Sequence, residues 1–333
     1  MTKKILKGVF CLSLTILPHH DQKGISLKAK QTLVLDPAFN EDYKTTDILL
    51  FTHLSADLLA LLADKKRTNR VFLPQMLHKQ LQKLQRTQVI EPLYWDNIKC
   101  FVYGYPISIG DFFVTAYLSD DGLNGAISLL LEYHGKKIGY TGHFITQGLH
   151  KKRIKKWKKE LQSSQLDLLL LDSANLQQAA RFTTNAKKFK RFLQNLTPEE
   201  LPAVKLSYLA PEMIVDYHNN ALKNGRTLLL DQTYATLAKQ LFPFDDFTVA
   251  TTENLALAVA HPDKFILQAG IAENNTTIYN KDEVLSLKQF TGDQTTSELK
   301  EFVHVIKPQK CVFFGLNDLD FSQKITTSLT VEE

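Results

Sequence analysis

The residues best suited to chemistry lie in Phe51-Thr52-His53-Leu54-Ser55-Ala56-Asp57-Leu58, between a strand-like run, Asp47 to Phe51, and a helix-like run, Asp57 to Asp64. An imidazole and a carboxylate at a strand-to-helix junction are metal-ligand types. Ser55 and Leu58 interrupt the set, and a leucine methyl has no electron pair to give a cation. The stretch reads as a candidate metal-binding loop with two donors of the right type. The function of the chain turns on whether a working site survives.

A second concentration of reactive character lies in Lys151, Lys152, Arg153, Lys155, Lys156, Lys158 and Lys159, seven cations in nine residues. They exceed the net charge of +5, so the remainder of the chain is slightly acidic. Two readings stay open. One is a solvated helix face with Ile154 and Trp157 on its buried side. The other is a phosphate-contacting surface that holds RNA or single-stranded nucleic acid in a salt-dependent, sequence-blind way. A weaker cluster, Lys187-Lys188-Phe189-Lys190-Arg191-Phe192, follows in the next helical segment. No Gly-x-Ser-x-Gly elbow, P-loop or dinucleotide-binding glycine fingerprint is present. His78, His134, His150, His218, His261 and His304 are scattered and read as ordinary solvated residues.

The elements that must position these groups need room, and 333 residues with 44% hydrophobic content supply it. The length fits one large domain plus an insertion or second lobe. Cys11, Cys100 and Cys311 are odd in number and far apart, which argues against a disulfide framework and fits a reducing, cytoplasmic setting. Lys3, Lys4 and Lys7 before the apolar run Val9 to Leu17 imitate a secretory signal, but the run is short and no small-x-small site follows it. Gly8 to Leu17 reads better as a first strand, with Gly24 to Leu35 pairing beside it. No segment reaches the roughly 18 apolar residues of a membrane span.

Strands alternate with helices after a β-rich start, the pattern of sheets layered with helices. Leu33 to Asp36, Asp47 to Phe51, Val71 to Pro74, Phe112 to Leu118, Ala126 to Tyr133, Lys137 to Tyr140 and Asp167 to Asp172 read as strands, with a hairpin turn at His134-Gly135-Lys136. Ala179 to Leu196 reads as a helix. After it come strand Ala203 to Leu209, helix Pro211 to Lys223 stopped by Asn224-Gly225, strand Thr227 to Asp231, helix Tyr234 to Leu241 and strand Phe265 to Gln268, a compact α/β insertion. Thr295-Thr296-Ser297-Glu298 is a capping box for a helix running to about Ile306. Cys311 to Phe314 reads as the last buried strand.

In order and spacing these motifs resemble the metallo-β-lactamase superfamily, and within it the β-CASP nucleases related to ribonuclease J. Leu33-Val34-Leu35-Asp36-Pro37 is similar to the strand ending in the first-motif Asp, and Phe51 to Leu58 to the His-x-His-x-Asp-His motif. Leu118 to Ala126 resembles the third-histidine loop, with Asp121 in the histidine's place. Tyr140-Thr141-Gly142-His143-Phe144 resembles Thr-Gly-Asp-Phe, Leu171-Asp172-Ser173-Ala174-Asn175 the motif before the β-CASP insertion, Thr291-Gly292-Asp293 the Ser-Gly-His motif, and Lys307-Pro308 to Phe314-Gly315 the final Lys-Pro strand.

The resemblance implies an αββα sandwich in the α/β class, formed by residues 1–178 and 286–333, with a β-CASP-like lobe inserted at 179–285. Of the ligand positions only His53 and Asp57 keep the family residue, whereas Ser55, Leu58, Asp121, His143 and Phe314 differ. A two-metal mechanism is therefore not expected, and Asp293 would repel a phosphodiester. Function then divides three ways. A silent relative would hold nucleic acid or pair with an active nuclease paralogue. A single-metal hydrolase would gather His53, Asp57, Asp121 and His143 around one zinc or manganese ion, with Asp57 as its catalytic carboxylate. A protein-interaction scaffold would do neither. In the first case Asp36 and Asp172 are structural.

Overall fold

The computed structural model describes residues 12–18, 24–144, 149–172, 186–274, 302–314 and 327–331. Three sheets organise them. In the first, β1 (Leu12–Pro18), β2 (Ile25–Lys28) and β3 (Thr32–Leu35) run antiparallel, and β4 (Ile48–Leu50), β5 (Arg70–Pro74) and β6 (Ile98–Phe101) add in parallel. Parallel neighbours need crossovers, and helices α1 (Ala56–Ala63) and α2 (Gln75–Arg86) supply two of them.

The second sheet holds β7 (Pro106–Ile109), β8 (Phe112–Leu118), β9 (Ile127–Tyr133) and β10 (Lys136–Tyr140), all antiparallel. His134 and Gly135 both take positive φ, 45° and 77°, as a two-residue turn matched to strand twist requires. Helix α3 (Lys151–Ser163) then leads to β11 (Leu168–Asp172), parallel to β10.

Beyond it lie α4 (Ala186–Gln194), β12 (Ala203–Val204), α5 (Glu212–Lys223), β13 (Thr227–Leu230), α6 (Gln232–Leu241), β14 (Thr248–Val249), α7 (Thr252–Ala260), β15 (Phe265–Gln268) and α8 (Ala269–Asn274). Their four strands form a separate parallel sheet in the order β12-β15-β13-β14. The chain then returns: β16 (Lys310–Phe314) pairs with β11, and β17 (Thr327–Val331) with β1.

Alternation along the strands fixes the layering. Leu35, Leu50, Val114, Leu129, Leu168 and Phe314, from the first two sheets, share one buried cluster, so these sheets lie face to face. On its other face the first sheet packs Val34, Leu49, Val71 and Leu73 against α1 and α2, in a cluster that continues through Met213 and Ile214 of α5. The other face of the second sheet holds Leu130, Leu169 and Leu171 against Ile154, Trp157 and Leu161 of α3 and against Phe302 and Ile306.

Several sequence expectations change. Within Gly24 to Leu35, β2 is the strand that pairs with β1, and β3 pairs with β2 in turn. Ala203 to Leu209 contributes only β12, because the chain turns at Ser207, whose carbonyl accepts from the Ala210 amide. Cys311 to Phe314 is not the final strand, since β17 follows it. Helix α7 follows an unforeseen N-cap, Thr251, which accepts from the Asn254 amide. The capping box at Thr295 and the position of Asp293 lie outside the described residues.

Candidate functional site

Asp36 anchors one half of the site. It leaves β3 with φ 45°, and its carboxylate accepts from the Thr52 amide at 2.7 Å, the Thr52 hydroxyl at 2.5 Å and the Tyr140 hydroxyl at 2.8 Å. The Nδ1 of His53 lies 3.5 Å from Asp36 Oδ1. Gly142 permits this closeness: with φ +57°, a Cβ there would sit 2.5 Å from the Thr52 hydroxyl.

His143 forms the other half. Its Nε2 is 3.3 Å from Asp121 Oδ1 and its Nδ1 3.3 Å from Asp172 Oδ2. The two imidazoles stack, with centroids 5.3 Å apart and planes 27° from parallel. Thus the ends of β3, β4, β10 and β11 and the loop before β9 bring two imidazoles and three carboxylates into one cluster.

Burial and pairing set its protonation. Burial disfavours charge on His53, yet Asp36, helped by Asp121 and Asp172, raises its pKa to about 9. Burial likewise opposes the His143 cation, and Asp121 and Asp172 override it, so His143 is also raised. Burial pushes the Asp121 carboxyl up to about 6, against the pull of His143 and His53. Burial would raise Asp36 too, but the charge and hydrogen bonds of His53 and Thr52 hold it below the ordinary carboxylate range. Near neutral pH His53 is therefore a cation of this cluster.

In that arrangement the imidazoles are engaged by carboxylates. A ligating histidine needs a free lone pair, and both ring nitrogens of His143 face carboxylates. Asp57 Oδ1 accepts from the Phe39 amide at 3.1 Å, holding the loop after Asp36. Among the described residues no group of three or more His, Cys, Asp or Glu side chains is disposed to hold a metal ion. The positions where the resemblance placed further ligands make other contacts here. Ser55 caps α1 by accepting from the Leu58 amide at 3.1 Å, a bond worth about 1 kcal/mol. Leu58 is fully buried beside α2, and Phe314 stacks on Tyr140 with planes 12° apart.

A second polar junction was missed from sequence. Asp120 Oδ2 accepts from the His150 amide at 2.6 Å, at the start of α3. His150 Nε2 meets Glu212 Oε2 of α5 at 3.0 Å, and Glu212 Oε1 accepts from the Asn124 amide at 2.9 Å. His150 is thus a paired residue rather than a solvated one, and His218 is buried. Glu212, the first residue of α5 after its N-cap Pro211, carried no signal of its tertiary partner. The Asp121 loop is clamped between α3 and α5. Helix α3 turns Ile154, Trp157 and Leu161 inward and leaves Lys151, Lys152, Lys155, Lys156 and Lys159 exposed. Arg153 donates to Asn124 Oδ1 at 2.9 Å, and Lys158 lies over the Phe302 ring, so two of the seven cations serve packing.

No family model matches the sequence, and no curated protein is similar to it. Among solved structures, the chain is similar to a protein of unknown function from Enterococcus faecalis V583, at 11% identity and a TM-score of 0.62, over 96% of this chain and 100% of that one. This similarity defines a shared mixed α/β fold. The metallo-beta-lactamase fold protein YhfI from Bacillus subtilis matches in part, at 14% identity and a TM-score of 0.35, over 49% of this chain and 70% of that one. Among the described residues no helix is long and apolar enough to cross a membrane.

Proposed function

We propose that this chain is a metal-free relative of the metallo-β-lactamase nucleases, an αββα sandwich formed by residues 1–178 and 286–333 with a β-CASP-like lobe at 179–285, which binds nucleic acid and pairs with an active partner instead of cutting. One observation carries the reading: the donors of His143 are spent on Asp121 and Asp172. The exposed lysines of α3 supply the binding half. Their placement is costly within the chain, because Lys151 and Lys152 stand in the first turn, where the helix dipole already presents positive charge. A bound polyanion would relieve that repulsion.

Elemental analysis of protein purified without a histidine tag tests the metal-free half. Less than about a tenth of an equivalent of zinc or manganese, unchanged in His53→Ala, is expected. A full equivalent lost in that variant would favour a single-metal hydrolase at His53, Asp57, Asp121 and His143. RNA affinity that falls steeply with salt tests the binding half. Insensitivity to replacement of Lys151, Lys152, Lys155 and Lys156 would refute it.

A further inference from the structure

The lysine face of α3 also has a shape and a composition. Ile154, Trp157 and Leu161 are buried against the second sheet, so the helix has no apolar face to lay into a lipid surface. Its exposed cations are all lysines, and none forms an ion pair among the described residues. They form two rows, Lys151-Lys155-Lys159 and Lys152-Lys156. Members of a row lie about 6 Å apart, so the longer row spans about 12 Å.

Resting on the nucleic-acid reading above, we infer that this face takes a double-helical backbone, RNA or DNA, in preference to a single strand. Two arguments converge. Over about 12 Å one strand with helical rise presents three or four phosphates, whereas a duplex presents about seven. Five lysines exceed the first number and fit within the second. Unspecific single-strand binding also draws on aromatic platforms for the bases, and the one aromatic residue of α3, Trp157, is wholly buried. Lysine is a point charge that grips phosphate without reading base edges or stacking. Such a face is blind to sequence, and RNA and DNA duplexes of equal length should bind alike.

Fluorescence anisotropy of the full chain with a roughly 20-base-pair RNA duplex, each of its strands and the matching DNA duplex, between about 50 and 200 mM salt, tests this inference. Five contacts give a slope of log affinity on log salt of about −4 to −5 for the duplexes. The separated strands should bind at least tenfold more weakly. Joint replacement of Lys151, Lys152, Lys155, Lys156 and Lys159 by alanine should abolish duplex binding, while Lys28→Ala with Lys30→Ala leaves it intact. Thermal melting of the five-site variant should show a folded protein, and single reversal of an exposed charge, Lys156→Glu, should weaken binding several-fold without touching the core. Strands that bind as tightly as the duplex would overturn the inference and leave the binding role standing. Binding of neither, or capture by anionic vesicles alone, would overturn both.

Discussion

The His53–His143 cluster and the solvent face of α3 are both concentrations of charge, and they have opposite fates. In the cluster, cations and anions meet at 3.3 to 3.5 Å with little solvent access. On α3, five ammonium groups stand in water with none of their counterions supplied by the described chain. Charge satisfied internally holds a fold together. Charge left unsatisfied is available to a partner. The difference separates two uses of charge: the buried cluster spends its charge on the fold, whereas the α3 face leaves its charge at the surface, where the proposed recognition would act.

The largest effect expected from breaking this contrast is at Asp36. Asp36→Ala removes the acceptor of Thr52 and Tyr140 and strands the His53 cation, at a cost of about 3–5 kcal/mol in urea unfolding. A loss below about 1 kcal/mol would mean that the cluster is not structural. The pH profile of stability comes next. His53 holds its proton at about 9 folded, against an ordinary 6.5 unfolded. Its contribution is complete below about pH 6.5 and lost as pH rises through 9, on the order of 3 kcal/mol. Asp121, raised to about 6 from 3.8, adds a loss of the same sign between about pH 4 and 6. Unfolding free energy followed from pH 5 to 9.5 should decline for the parent and flatten in His53→Asn; equal slopes would refute the pairing.

Glu212→Ala sharpens the boundary between the two regions. It leaves the Asn124 amide and His150 without their acceptor, for about 1–3 kcal/mol, and thermal melting should show the loss while duplex affinity, carried by the lysines, stays within twofold. The smallest effect has the opposite sign. Lys151→Glu places an anion in the first turn of α3 and should stabilise the protein by about 0.3–1 kcal/mol, while weakening polyanion binding. A destabilised variant would show that Lys151 has a packing role.

Much of this was legible in order along the chain. Ile154 and Trp157 at helical spacing marked the buried side of α3. Phe265 to Gln268 read correctly as a strand, and Leu58 and Phe314 could never have donated to a metal. Local pattern sufficed there, because periodicity and donor chemistry belong to each residue alone. Ser55 was legible as a helix cap, yet read as a damaged ligand. The pairings were not legible. Asp36 and Tyr140 are 104 residues apart, and Asn124 and Glu212 are 88 apart. β17 was missed as well, since its partner is the first described strand.

The sequence by itself determined that donors were missing, that charge was concentrated on one helix and that sheets alternate with helices. Only the tertiary structure decided that His143 turns both nitrogens to carboxylates, that Asp57 serves a loop and that five of the seven cations stay exposed with no ion pair among the described residues. Donor identity is a property of a side chain, whereas availability depends on what the fold has already placed within 3.5 Å of it.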